Sequence, residues 1–253
     1  MDRGARPVQY PIRVAQVTDC HLPADPERSY RGINPRLTLQ ALLEKIKAKR
    51  PDLLLLTGDL SEDGSRDSYR VLLSIFQSVE VPVLALPGNH DDAGLLEETY
   101  PGSPVDTISV SEHGSWQIVR MNSCIPHAPE GRVSERAVAD LEAHLDRNAG
   151  HAQLIALHHQ PVAVGNPWID RYPLLNPEPL LQLIDRHPSV KAVVWGHIHQ
   201  AYAAVRNGTA MLGGPSSAIN TVPGMQKFTP DQKGPACRWL ELNGDHTLST
   251  VIV

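Results

Sequence analysis

The chain has 253 residues, 41% apolar and 20% charged, which suits a single globular domain, residues 1–253, with a sizeable core. A formal net charge of −5 gives no basic footprint for nucleic acid and no polybasic patch for a membrane surface. No apolar run reaches the roughly 18 residues of a membrane span; the opening MDRGARPVQYPIRV lacks the apolar centre of a secretory signal; and Cys20, Cys124 and Cys237 are too widely spaced for a disulfide framework or a zinc knuckle, so the expected setting is reducing and cytoplasmic.

The first elements alternate. IRVAQVT (12–18) reads as a strand. Asn34 caps a helix with Pro35 at its first position, and Leu39, Leu42, Leu43 and Ile46 share one face. DLLLLT (52–57) is a short apolar run, as in a strand buried on both faces. Tyr69, Leu72, Leu73 and Phe76 repeat the helical spacing, and VPVLAL (81–86) is a third strand. This β-α-β-α-β start implies a largely parallel sheet. SWQIVRMN (115–122), AQLIAL (152–157) and VKAVVW (190–195) read as further strands. Ser134 caps a helix carrying Val138, Leu141 and Leu145, and Asn176-Pro177 opens another that His187-Pro188 ends. Beyond residue 200 the pattern turns antiparallel, with hairpins around Asn207-Gly208 and Asn243-Gly244. Two sheets packed face to face, with helices outside, would hold all of this.

The strand ends carry the chemistry. They are succeeded by Asp19-Cys20-His21, Gly58-Asp59, Gly88-Asn89-His90-Asp91-Asp92, His158-His159 and Gly196-His197-Ile198-His199. Taken singly, each is an ordinary turn, cap or loop. Five in order, each at a strand end, are not, because loops at the carboxyl ends of strands converge on one cleft. Imidazoles, carboxylates and one neutral amide make a mixed nitrogen and oxygen site, suited to Mn, Fe, Zn or Co rather than Ca or Mg. Seven donors (Asp19, His21, Asp59, Asn89, His158, His197 and His199) are too many for one ion. One bridging carboxylate could serve two ions roughly 3.5–4 Å apart. Cys20, between two of the donors in a strand-like D-x-H, should point away and pack.

The ordered set D-x-H, G-D, G-N-H-D, H and G-H-x-H resembles the calcineurin-like metallophosphoesterase superfamily, over residues 12 to about 200. The resemblance implies an α/β fold, a two-sheet β-sandwich flanked by helices in four layers, α-β-β-α. It implies that Asp19, His21 and His199 hold one metal, that Asn89, His158 and His197 hold a second, and that Asp59 bridges. His159 is the alternative to His158, since family members usually place the ligand first. Two divalent or trivalent ions are implied, iron and manganese foremost, with zinc or cobalt as alternatives. A hydroxide between them would attack phosphorus in line. By the same resemblance His90 faces the substrate and serves as catalytic proton donor to the leaving oxygen, with Asp91 or Asp92 to orient it.

Members of the superfamily cleave many phosphoesters. PVAVGNPWIDRYPLLN (161–176), PSSAINTVPGMQKF (215–228) and CRWLEL (237–242) resemble the bacterial class III cyclic nucleotide phosphodiesterases. The substrate that resemblance implies is 3′,5′-cyclic AMP, held by Asn89, His90 and His199 with Trp168 against base or ribose. The chain departs from that group at Arg120-Met121-Asn122-Ser123 and has fewer aromatic residues near its C-terminal end. The alternatives are a broader phosphodiesterase, for example one acting on glycerophosphodiesters, and a non-catalytic scaffold of the same fold, as in a retromer subunit. The expected partner is a small phosphodiester, with no nucleic acid and no membrane, and the family is compatible with a homodimer.

Overall fold

The computed structural model describes residues 11–253. Most of the opening stretch read for a leader lies outside the described residues. The elements run β1 (Ile12–Val17), α1 (Pro35–Ala48), β2 (Leu53–Thr57), α2 (Arg66–Phe76), β3 (Val83–Leu86), α3 (Ala93–Thr99), β4 (Ile108–His113), β5 (Trp116–Met121) and β6 (Gly131–Arg132). They continue through α4 (Glu135–Arg147), β7 (Ala152–Ala156), β8 (Leu174–Leu175), α5 (Glu178–Arg186), β9 (Val190–Trp195), β10 (Tyr202–Arg206), β11 (Thr209–Gly213), β12 (Arg238–Leu242) and β13 (Leu248–Ile252).

Two sheets carry the molecule. One has the order β13-β12-β1-β2-β3 and the other β10-β11-β9-β7-β5-β4; β6 and β8 form a small separate pair. β1, β2 and β3 run parallel, as do β5, β7, β9 and β11. The antiparallel partners lie at the sides: β12 pairs with β1, with Ile12 opposite Leu242, and β10 and β4 close the edges of the second sheet.

Three apolar layers arise from the sequence pattern. Between the sheets lie Val14, Leu53, Leu55, Trp116, Leu154, Val194 and Leu240. Alternate residues of the same strands, including Val17, Leu54 and Leu56, face α1, α2 and α3, where Leu39, Leu42, Leu43 and Ile46 supply the facing stripe. Val119, Ile155 and Val193 face α4 and α5. The four-layer order α-β-β-α is thus the expected one. A fully buried leucine contributes about 1.5–3 kcal/mol of transfer free energy, so β2 stays apolar on both faces until Thr57, whose hydroxyl accepts from the Gln16 amide at 3.0 Å.

Local signals mostly hold. The Asn34 side chain accepts from the Arg36 and Leu37 amides at 3.0 and 3.2 Å, and Ser134 caps α4 through the Ala137 amide. Asn207-Gly208, both in the left-handed region, make a two-residue hairpin turn. The helix opened by Asn176-Pro177, α5, begins at Glu178, with Pro177 at its cap position and no side-chain cap. Two readings change. The loop between β12 and β13 spans five residues, 243–247; it closes through an Asn243 N–H to Thr247 carbonyl bond of 2.9 Å, and its left-handed residue is His246. The D-x-H segment is not strand-like, because Asp19 and His21 have φ of 52° and 46°. Cys20 nevertheless points into the core, where it accepts from the Ser217 hydroxyl at 3.3 Å. The strand β4 and the helix α3 have no counterpart in the sequence reading.

Candidate metal centre

The parallel strands deliver their carboxyl ends to one edge of the sandwich. There the chain turns sharply. Asp19, His21, Asp59, His197 and His199 all lie in the left-handed region, φ 46° to 67°. That conformation costs a non-glycine residue roughly 1–2 kcal/mol each, and backbone hydrogen bonds hold it. The Asp19 N–H donates to Gly58 O and the His21 N–H to Asp59 O, both at 2.9 Å. The His197 N–H lies 3.1 and 3.0 Å from the two Asp19 carboxylate oxygens. Close packing demands glycine beside these turns. A methyl group on Gly88 would overlap the Asp59 backbone and carboxylate; one on Gly196 would overlap the Thr18 hydroxyl and press on Asp19.

The side chains gather in two groups around Asp59. His21 Nε2 lies 3.2 Å from His199 Nε2, and His199 Nε2 lies 3.4 Å from Asp19 Oδ1. On the other side His158 Nε2 lies 3.2 Å from Asn89 Oδ1, and its ring packs 5.0 Å from that of His197. Asp59 turns one oxygen to each group: Oδ2 is 3.7 Å from His21 Nε2 and Oδ1 is 3.4 Å from His158 Nε2.

The donor set fits metal ions in a specific way. Each imidazole has one ring nitrogen engaged by an oxygen: His21 Nδ1 by Glu62 at 2.7 Å, His158 Nδ1 by Thr57 O at 2.8 Å, His197 Nε2 by Tyr172 O at 3.0 Å and His199 Nδ1 by Ile219 O at 2.7 Å. A neutral ring that donates there presents its other nitrogen as a bare lone pair. Two such nitrogens facing at 3.2 Å, His21 and His199, repel unless a cation lies between them. With metal–nitrogen bonds of about 2.0–2.1 Å, that separation is an ordinary ligand–ligand edge. Burial lowers His197 to about 3 and raises Asp19 to about 7, both against charge in a dry pocket. Asp59 is also buried, yet the neighbouring His158 holds its carboxyl well below the usual range. A lodged cation would offset the carboxylate burial.

His159 sits differently. Its Nδ1 shares a hydrogen bond with the Ser123 hydroxyl at 2.9 Å, and its Nε2 has no partner among the described residues. Ser123 also accepts from the His158 and His159 amides, at 3.3 and 3.2 Å, so it fixes the whole dipeptide. The His159 ring packs 4.6 Å from that of His197, and one of its nitrogens could join a group with His158 and His197.

His90 stands at the open edge, 37% exposed, with its ring edge-on to His21 at 4.9 Å. Neither Asp91 nor Asp92 touches its ring. Asp91 accepts from the Gly88, Leu60 and Ser61 amides at 2.8, 3.1 and 2.9 Å, tying the loop after β3 to the loop after β2. Asp92 caps α3 through the Leu95 amide. The orienting group is Glu62, missed in the sequence: its carbonyl is 3.3 Å and its carboxylate 3.4 Å from His90 Nδ1, and the same carboxylate oxygen engages His21. Glu62 lies three residues after Asp59 in a loop, and no local spacing marks it. Trp168 lies at the rim, edge-on to His199 at 6.1 Å.

Residues 12–201 match the calcineurin-like phosphoesterase family. The chain belongs to that family. A 3′,5′-cyclic-nucleotide phosphodiesterase of Nostoc sp. is 36% identical, with 96% of this chain and 92% of the relative covered. The 3′,5′-cyclic adenosine monophosphate phosphodiesterases CpdA of Pseudomonas aeruginosa and Escherichia coli are 32% and 34% identical, each covering 95% of this chain and 89% of their own. Among solved structures, a dimetal phosphatase from Danio rerio superposes with a TM-score of 0.68 at 18% identity, over 95% of this chain and 99% of its own. Calcineurin-like phosphoesterases carry a dinuclear metal centre, and the grouped His and Asp side chains can hold one. No helix among the described residues is long and apolar enough to cross a membrane.

Proposed function

We propose that the protein hydrolyses 3′,5′-cyclic AMP to 5′-AMP. The observation that carries this reading is the Asp59 carboxylate, with one oxygen turned to each of two imidazole-rich groups and His90 at their open edge. The relatives that cover nearly the whole chain add the substrate class. In this reading Asp19, His21 and His199 would hold one ion, Asn89, His158 and His197 the other, and Asp59 would serve both. The mixed imidazole and carboxylate set suits manganese and iron, with zinc or cobalt as alternatives. When bound, they supply Lewis acidity that lowers the pKa of water and offsets charge on the phosphoryl oxygens.

The chain's own residues do the rest. Although burial opposes it, the carboxylates of Asp59 and Glu62 raise the His90 pKa, so the ring that donates its Nδ1–H to Glu62 can carry a second proton on Nε2. That proton passes to O3′ as water adds to phosphorus, losing its own proton to solvent, and the P–O3′ bond breaks, so the alkoxide leaves as an alcohol and the phosphate stays on O5′. The anchored imidazoles keep their tautomers through the reaction. Three free cysteines and a net charge of −5 fit a cytoplasmic enzyme acting on a small phosphodiester rather than on a nucleic acid.

The test uses protein stripped of metal and reloaded with Mn²⁺. Cyclic AMP is followed by chromatography that resolves 5′-AMP from 3′-AMP, with bis(nitrophenyl) phosphate in parallel. Metal-dependent release of 5′-AMP alone is expected. Turnover of only the aryl diester would move the substrate to another phosphodiester, and no turnover of either with two metals bound would overturn the enzymatic reading.

A further inference from the structure

Three loops distant in sequence meet at one side of the metal centre. In the first, Arg31-Gly32 form a two-residue turn with φ of 47° and 86°, closed by reciprocal Tyr30–Ile33 backbone bonds of 2.8 and 3.0 Å. The turn lays the Tyr30 ring flat on His21, 4.1 Å away and 11° from parallel. It also lays the Arg31 guanidinium over Phe228, 4.1 Å from the ring centre. Phe228 belongs to the second loop. Its ring is edge-on to Trp168 at 5.0 Å and to His199 at 5.9 Å. Trp168, from the third loop, donates its backbone N–H to Met225 O at 3.0 Å, and Arg171 bonds Gln226 O, so the second and third loops are fastened together. Thr221 N–H donates to His199 O at 2.9 Å, which ties the assembly to the metal-site turn.

This cluster has features that shielding the ligands does not require. The chain has two phenylalanines; Phe76 is buried in the core and the other stands half-exposed here. Arg31 is exposed and forms no ion pair among the described residues, although the site beneath it is rich in carboxylates. A planar cation stacked on an aromatic face at the mouth of a phosphate-binding centre presents what a nucleobase recognises: π-faces and a guanidinium plane. The other opening beside the site, a cavity of about 380 Å³ reached past His90, is bordered by Asn122, Cys124, Ile125 and Pro126 and has no Phe, Tyr or Trp in its wall.

We infer that Arg31, Phe228 and Trp168 form a stacking subsite for the purine base of the substrate, so that they set the preference for nucleoside cyclic phosphates over other diesters. This inference rests on the cyclic-nucleotide reading given above. Stacking of a base on an aromatic group predicts an effect of about 5–100-fold in affinity.

The experiment compares Mn²⁺-loaded wild type with Phe228→Ala, Arg31→Ala and Phe228→Tyr. Two substrates are used, cyclic AMP and the base-free 3′,5′-cyclic phosphate of the same sugar, with calorimetric binding of 5′-AMP and ribose 5-phosphate as a readout independent of turnover. The alanine variants should raise KM for cyclic AMP by about 5–100-fold, at least several times more than for the base-free substrate. They should also erase the advantage of 5′-AMP over ribose 5-phosphate, and Phe228→Tyr should restore both. Equal losses on both substrates would mean a purely structural cluster and overturn the subsite. So would a loss of base discrimination in Ile125→Trp, which fills the other cavity, but not in Phe228→Ala. Wild type that turns over no cyclic nucleotide would overturn the functional reading instead. The binding arm would still decide the subsite: tighter binding of 5′-AMP that Phe228→Ala abolishes supports it, and no such difference removes it.

Discussion

The floor of the cleft and its rim are built on opposite terms. The floor is five short turns at strand ends, buried, left-handed at five donor residues and pinned by backbone bonds such as that from Asp19 N–H to Gly58 O. The rim is three longer loops with half-exposed aromatic side chains that touch one another and lean on His21 and His199 of the floor. The floor fixes positions to a fraction of an ångström, as two ions and an in-line attack require. The rim offers faces, which select a ligand without strict geometry. Chemistry and specificity are thus carried by different kinds of structure in one cleft.

Changing the floor should abolish turnover whatever the substrate. Asp59→Asn removes the charge shared by both donor groups, and kcat should fall by more than the roughly 10²–10⁴-fold that a general acid supplies. Metal content measured by atomic emission should fall with it; near-normal kcat with two ions bound would break the floor-and-rim division. His90→Ala tests the boundary. It should keep its metals and lose about 10²–10⁴-fold on cyclic AMP, but far less on bis(nitrophenyl) phosphate, whose leaving group needs no proton. An equal loss on both substrates would remove the proton-donor role.

Glu62→Gln sharpens the comparison, since one carboxylate touches a floor residue, His21, and an edge residue, His90. A loss of about 10–100-fold is expected in metal affinity or activity. A Mn²⁺ titration tells which partner matters: weaker metal binding indicts His21, and a pure kcat loss indicts His90. The smallest effect belongs to the far end of the sandwich, where Arg13 pairs with Asp52 at 2.9 Å with both side chains well exposed. Asp52→Asn should cost under about 1 kcal/mol in urea unfolding and leave kcat unaltered. Hydrogen bonding to Arg13 lowers the Asp52 pKa, so its contribution is present above the unfolded value of roughly 4 and fades as pH falls through the folded value. A wild-type advantage that grew on acidification would contradict that pairing.

The floor was legible because each donor directly succeeds an apolar run, and period and position are local properties. The i, i+2 spacing marks His197 and His199 as neighbours but does not divide them: the first packs against His158, the second faces His21 and Asp19. The rim was legible only in part. Trp168 stood out as a loop aromatic, but Arg31 and Phe228 become partners across nearly the whole chain, and nothing in either neighbourhood marks the other. Glu62 escaped for the same reason, since its contacts with His21 and His90 exist only after three strands are aligned. Asp91 and Asp92 were both visible as candidates to orient His90, but sequence neighbourhood does not show that Asp91 bonds three backbone amides and Asp92 caps α3 instead.

The first strand has a late partner. β1 sits in the middle of its sheet, paired with β2 on one side and with β12 on the other, and the Ser216 hydroxyl bonds Asp19 O across 197 residues. Synthesis therefore delivers β1 about 220 residues before the strand that covers its open edge, at the usual pace of roughly 5–20 residues per second. For ten seconds or more the nascent chain carries an apolar strand with one unpaired side. A ribosome stalled near residue 200 would hold every metal-binding motif in sequence, yet no finished centre.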